Sequence, residues 1–416
     1  MARGRRRHAR PQARRLAGVC RGVAALAAPA VGPRGGGPGA LARRGRRLRG
    51  RRSLHAGTAG AVKVLVRADA SLALGSGHVM RCRTLAAELQ RRGHGVTFAC
   101  RPLDGHLLEL LRAGGFETAA LPLDPHVTTG LEPIGDAQAL ADAQACVQLA
   151  GALDWVVVDH YGLGARWEQV LRNAGARVLA LDDLADRLHS CDLLLDQNPG
   201  GAERYAARVP PGTRLLVGPE WALVRPEFPA LRATSLERRQ RPVLQRLLVF
   251  LGGGDVAADV QVALTGALAS GIPWTHVDVV LGSGVPGADA VAAQLKSFPS
   301  AVLHVQTEHM ARLMADADVA ITAGGGVTWE KCCLGLPSLV AVLAENQGAV
   351  VPELRARGAA VVLEPAGPPR PEDIAAALRA LTPASLAAMA QAAAGMCSGQ
   401  GAPRVAAQLE QGTKDG

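Results

Sequence analysis

From residue 62 onward, short and nearly continuous apolar runs alternate with longer stretches whose apolar positions recur every three or four residues. The first pattern predicts β-strands and the second α-helices. Candidate strands cover 62–67, 95–99, 118–121, 155–158, 177–181, 193–195 and 214–217, with helical runs at 78–92, 105–113, 136–150 and 165–173 between them. Strands without polar alternation are buried on both faces, which indicates a parallel sheet covered by helices and joined by right-handed crossovers. Residues 226–242, PEFPALRATSLERRQRP, interrupt the pattern with three prolines and a cluster of charge. They read as a connection between domains. A second series of apolar runs follows at 247–251, 277–281, 302–305, 319–322, 338–342 and 360–363.

The expected organisation is therefore a first Rossmann-like domain at 62–228, a linker at 229–242 and a second such domain at 243–416. The Ala-rich tail, 374–396 and 403–411, is expected to be helical and is a candidate to cross back onto the first domain. Two doubly wound domains open their crevices at the carboxyl ends of their strands, so the cleft between them is the expected active site.

Charge changes the picture only at the start. The formal net charge is +10, but residues 1–60 hold 16 of the 46 Lys and Arg and no Asp or Glu. The remaining residues carry 30 basic against 36 acidic groups, a mildly acidic body that argues against a nucleic-acid surface. Residues 1–61, rich in Arg, Ala, Gly and Pro, cannot bury a core and are expected to be a disordered basic extension. An upstream stretch that is not translated is the preferred reading, ahead of a functional tail or a transit peptide. No run of 18 apolar residues occurs, so no membrane span is expected. Eight cysteines, at 20, 82, 100, 146, 191, 332, 333 and 397, form no C-x-x-C pair. They suit reduced, buried thiols in a cytoplasmic protein, with zinc disfavoured.

The chemistry-bearing stretches follow strands. Lys63 to Arg81 reads as strand, Gly-rich turn and helix start, with His78 just after Gly75-Ser76-Gly77. An imidazole at a helix start feels positive potential and is expected to be neutral at pH 7, ready to accept a proton; equally, His78 could simply cap the helix. Asp159-His160-Tyr161 leaves another strand, with Asp159 expected to bind loop amides. Asp182-Asp183 and Asp196 leave the next two, but spacing places no third metal ligand beside them. In the second half, Gly252-Gly253-Gly254-Asp255 and Ala323-Gly324-Gly325-Gly326 each join a strand to a helix. Such turns can offer amides to a diphosphate, or can be glycine for the turn alone. Glu330, one turn into the next helix, could take the vicinal hydroxyls of a ribose or face solvent. Asn346-Gln347, after the following strand, could read sugar hydroxyl and acetamido groups or be ordinary loop residues.

Taken in order, RADAS-x-x-x-GSGHVMRC (67–82), VVDHYGL (157–163), LDDLADR (181–187), CDLLLDQN (191–198), GP-x-WALVRPEF (218–228), GGGD (252–255) and AGGGVTWEKCCLGLPSLV (323–340) resemble the UDP-sugar hydrolases of pseudaminic acid biosynthesis. The resemblance covers residues 62–357. It implies a glycosyltransferase-B architecture, similar to the undecaprenyl-muramoyl-pentapeptide N-acetylglucosaminyltransferase. It also implies hydrolysis of UDP-2,4-diacetamido-2,4,6-trideoxy-β-L-altropyranose to UDP and the free sugar. Separately, a monomer without cofactor or metal is expected. Carried over by motif, His78 is the general base, with Tyr161 and Asn346 as the other catalytic residues. Asp69, Gly77, Arg81, Gly253, Gly254, Gly325, Gly326, Glu330 and Gln347 are then substrate-binding. Two departures stand out: Gly254 replaces a hydroxyl residue of the family's loop, and Gly326-Val327 lacks the usual Thr or Ser. A glycosyltransferase of the same fold, passing the sugar to another acceptor, and a nucleotide-sugar sensor without turnover remain the alternatives.

Overall fold

The computed structural model describes residues 60–123, 129–130, 132, 134–252, 254–282, 284–343, 350–363 and 369–414. The basic stretch 1–59 lies outside them, as do Gly253, Asn346 and Gln347. The first sheet contains β1 (Lys63–Ala68), β2 (Gly95–Cys100), β3 (Glu117–Ala120), β4 (Trp155–Asp159), β5 (Arg177–Leu181), β6 (Leu193–Asp196) and β7 (Arg214–Val217). Its spatial order is β3-β2-β1-β4-β5-β6-β7, and every pairing is parallel. The second contains β8 (Arg246–Phe250), β9 (His276–Leu281), β10 (Ala301–Val305), β11 (Val319–Ala323), β12 (Ser338–Ala341) and β13 (Val361–Leu363), in the order β10-β9-β8-β11-β12-β13, again all parallel.

Each sheet reverses its direction of growth once. In the first the chain builds outward from β1 to β3, then returns to lay β4 against the other side of β1; in the second, β11 returns to β8 in the same way. At such a reversal the loops leaving the two neighbouring strands diverge to opposite faces and leave a crevice, the usual ligand position in open α/β sheets. The loops in question carry the motifs singled out above: those after β1 and β4 hold His78 and Tyr161, and those after β8 and β11 hold the two glycine turns.

The proline-rich stretch differs from expectation. It forms helix α5 (Glu227–Arg238), following α1 (Gly77–Arg91), α2 (Leu108–Ala113), α3 (Asp136–Ala150) and α4 (Ala165–Asn173) and preceding α6 (Ala257–Ala269), α7 (Ala288–Leu295), α8 (Met310–Asp316), α9 (Thr328–Cys333), α10 (Val351–Ala356) and α11 (Pro371–Arg379). Pro226 is its N-cap and Pro229 falls in its first turn, where the missing N–H has no intrahelical partner to lose. The cluster of charge is also structural. Arg232 donates to the carbonyls of Cys333, Ala394 and Cys397, and Arg239 to those of Met314, Ala317 and Leu334, satisfying helix ends and their flanking turns. Phe228, fully buried, joins the core of the second domain, so most of the expected linker is a helix of that domain.

Ala222 and Val224 pack in the second core and Leu223 in the first, which locates one crossing between domains. The chain returns after α12 (Pro383–Met396): helix α13 (Gly401–Lys414) inserts Ala402, Val405, Ala406 and Leu409 into the first domain's core. Trp155 Nε1–H donates to the Leu409 carbonyl at 3.0 Å. The two crossings touch, since a Cβ at Gly401 would collide with the Ala222 carbonyl. The seven described cysteines are free and buried, and no helix among the described residues is long and apolar enough to cross a membrane.

Candidate active site

Chain leaving β1 turns back through Gly75, whose φ of 81° suits glycine, and whose N–H donates to the Ser71 carbonyl at 2.9 Å. Helix α1 then starts at Gly77 and presents His78 from its first turn. The imidazole is 7% exposed, and its Nδ1 lies 2.6 Å from Oδ1 of Asp159, the last residue of β4. Two acceptors do not approach so closely, so Nδ1 carries a proton and donates it to the carboxylate. With Nδ1 so engaged, Nε2 is the ring nitrogen left to exchange a proton. Arg81, one turn further along α1, closes on the same carboxylate with Nε at 2.5 Å from Oδ2 and Nη2 at 2.6 Å from Oδ1. Burial opposes charge on Asp159, but Arg81 and His78 hold its carboxyl well below the usual carboxylate range.

Tyr161 packs edge-on against His78, with ring centroids 4.6 Å apart and planes at 84°. Its hydroxyl is 3.5 Å from Asp183 Oδ2, which also accepts from Arg81 Nη1 at 3.2 Å. Burial first, and Asp183 second, raise the phenol's pKa, so it stays protonated. The structure thus gathers His78, Arg81, Asp159, Tyr161 and Asp183 at the β1/β4 reversal. Besides the start of α1, the ring meets Asp159, which holds the imidazole and Arg81 rather than the loop amides expected of it.

Asp69 needs correction. It is fully buried beneath this cluster, paired with Arg67 Nη1 at 2.7 Å and accepting from the Arg101 backbone N–H at 2.7 Å, with His160 Nε2 at 3.5 Å. Arg67 and Arg101 also share Asp142, which takes the Trp167 indole N–H as well. With its oxygens committed inside the domain, Asp69 has no face for substrate. It braces the start of the loop that carries His78.

In the second domain, Gly252 has a φ of 127°, a turn that favours glycine. Gly254, Gly325 and Gly326 are different: none has a positive φ, all are exposed, and a Cβ on any of them would meet nothing within 4 Å. Turn geometry therefore does not require glycine at these three positions, and their backbone faces open space. Glu330 lies in α9 (Thr328–Cys333), 9% exposed, and its carboxylate is gripped by Arg225 from the domain crossing. Neighbouring Lys331 is fully buried, with Nζ donating to Thr322 Oγ1 at 2.9 Å, and burial lowers its pKa to about 8. Among the described residues, no group of three or more His, Cys, Asp or Glu side chains is arranged to hold a metal ion.

The fold defines a class first. MurG of Acinetobacter baumannii matches 84% of this chain and 99% of its own length with a TM-score of 0.58 at 17% identity. The two all-parallel domains and this likeness give the protein the glycosyltransferase-B architecture. The relatives similar in sequence include two with named roles. The spore coat polysaccharide biosynthesis protein SpsG of Bacillus subtilis is 32% identical over 164 residues, 39% of this chain; the match spans about half (48%) of that protein's length. The UDP-2,4-diacetamido-2,4,6-trideoxy-β-L-altropyranose hydrolase of Campylobacter jejuni is 24% identical over 300 residues, 71% of this chain and 97% of that protein. No known family profile matches the chain.

Proposed function

We propose that this chain is an enzyme acting on a UDP-sugar in sugar biosynthesis, and that it hydrolyses the bond between the anomeric carbon and UDP. The observation that carries the reading is the His78–Asp159 pair, braced by Arg81. It leaves one basic nitrogen on a fixed ring at the sheet reversal, which is what activation of a nucleophile requires. Nε2 of His78 takes a proton from water as the water oxygen attacks the anomeric carbon. The bond from that carbon to the diphosphate oxygen breaks, and its electron pair leaves with UDP. Backbone N–H groups of Gly253, Gly254, Gly325 and Gly326 take the developing negative charge, which amides fixed in place stabilise without reorganising. Tyr161 fixes the outer edge of the imidazole, while Asn346 and Gln347 contact the sugar and Glu330 the ribose. The likeness to the Campylobacter hydrolase favours the 2,4-diacetamido-2,4,6-trideoxy sugar and a place in pseudaminic acid biosynthesis.

Incubation with UDP-2,4-diacetamido-2,4,6-trideoxy-β-L-altropyranose and no acceptor tests this. The expected result is stoichiometric UDP and free sugar, with the rate falling about 10²- to 10⁴-fold in His78→Ala. UDP release only after a sugar, lipid or amine acceptor is added would make the protein a transferase instead.

A further inference from the structure

Arg225 stands one residue beyond the crossing into the second domain, yet its side chain is committed to α9. Its Nε donates to Glu330 Oε1 at 2.7 Å and its Nη2 to Oε2 at 3.1 Å. The guanidinium is fixed from two other sides: its carbon lies 4.9 Å from the ring centroid of fully buried Phe228, and Nη1 is 3.4 Å from Glu227 Oε1. A bidentate fork clamped on one face and one edge leaves the carboxylate a single orientation. Each carboxylate oxygen can accept two hydrogen bonds, and Arg225 uses one on each. One acceptor site per oxygen stays open, at a fixed spacing suited to two adjacent hydroxyls.

We propose that Arg225 is the positioning residue for nucleotide recognition, presenting Glu330 as a rigid double acceptor for the ribose hydroxyls. The inference rests on the reading of Glu330 as the ribose ligand. The titratable groups facing Glu330 are Arg225, which favours its ionised form, Glu227, which opposes it, and the Cys333 thiol, whose own ionisation Glu330 disfavours. The Lys331 ammonium is engaged with Thr322. Burial is the largest influence and leaves the Glu330 pKa above its ordinary value, with Arg225 countering part of the rise. Without the guanidinium the acid should therefore hold its proton to higher pH and lose acceptor capacity.

The test is calorimetric titration of the full chain with UDP and with 2′,3′-dideoxyuridine diphosphate between pH 6 and 8.5, each variant first checked for cooperative melting. Wild type is expected to prefer UDP by about 10- to 100-fold, the effect of hydrogen bonds to a charged group, with little change over this range. Glu330→Gln should abolish the preference. Arg225→Gln should cut it about tenfold at pH 6 and recover part of it as pH rises and Glu330 ionises, with dideoxy affinity unchanged. Arg225→Lys should lose part of the preference but keep the flat pH profile, since it retains charge without the fork. An Arg225→Gln protein with wild-type preference at every pH, or with equal losses for both ligands, overturns the proposal. A Glu330→Gln protein that keeps the preference overturns the ribose reading, and the proposal with it.

Discussion

Asp159→Asn exchanges one carboxylate oxygen for an NH₂ group at the centre of the site and changes almost nothing in size. In the wild type, Asp159 is 1% exposed and accepts from both His78 and Arg81. An amide at that position removes the charge that stabilises an imidazolium as His78 takes a proton. If its NH₂ faces Nδ1 it also selects the opposite tautomer, with the proton on Nε2, and the base is lost. Comparable carboxylate-to-amide changes behind a catalytic imidazole cost up to about 10⁴ in rate, so a fall of about 10²- to 10⁴-fold in kcat with KM nearly unchanged is expected here. The stability cost is bounded by the roughly 3–5 kcal/mol for stripping one partner from a buried ion pair. The true figure is smaller, because Arg81 retains Asp183 and its side chain is 15% exposed. The assay is acceptor-free UDP release at saturating substrate, alongside UDP titration and thermal melting to show that fold and nucleotide site persist. A folded Asp159→Asn protein with kcat within threefold of wild type would refute the idea that this carboxylate sets the state of His78.

Two further outcomes follow from particular environments. Gly325→Ala should melt within about 1 kcal/mol of wild type, because its Cβ enters open space and reduces unfolded-state entropy; its affinity for UDP, measured by titration, should fall at least tenfold if the turn cradles a diphosphate, and an unchanged affinity would remove Gly325 from the site. Lys331→Met should be more stable than wild type at pH 7, by about 1–3 kcal/mol in denaturant titration, since an ammonium with one hydroxyl partner is replaced by an apolar chain of similar length. The sign with pH is fixed: the folded-state pKa, about 8, lies below the unfolded value. The unfolded chain therefore binds more protons between those limits, wild type gains stability as pH rises through them, and the gap between the two proteins should narrow.

Every strand expected from the apolar runs is present, because a strand buried on both faces has to be apolar at consecutive positions and little else produces that pattern in so short a run. Helix α5 was hidden for the converse reason. Its prolines fall where a first turn tolerates them, and its arginines cap carbonyls of helices distant in sequence, a use that charge content alone does not reveal. At the site, His78 and Tyr161 could be picked out from local context, as residues leaving strands through turns, and Arg81 only through the motif resemblance. That Asp159 holds two of them from 81 and 78 residues away could not; nor could the burial of Asp69 beneath them, which its place in the same short motif concealed.

What the sequence by itself determined is periodicity: which segments are strands or helices, and hence two layered domains with their loops at the strand ends. Only the tertiary structure decided which of those loops share a sheet reversal, which carboxylate meets which cation, and which residues of α13 enter the first domain's core. The physical reason is that backbone pattern is a local property read over a few residues, whereas the pairing of buried charges is settled by strand order, which joins residues with no relation along the chain.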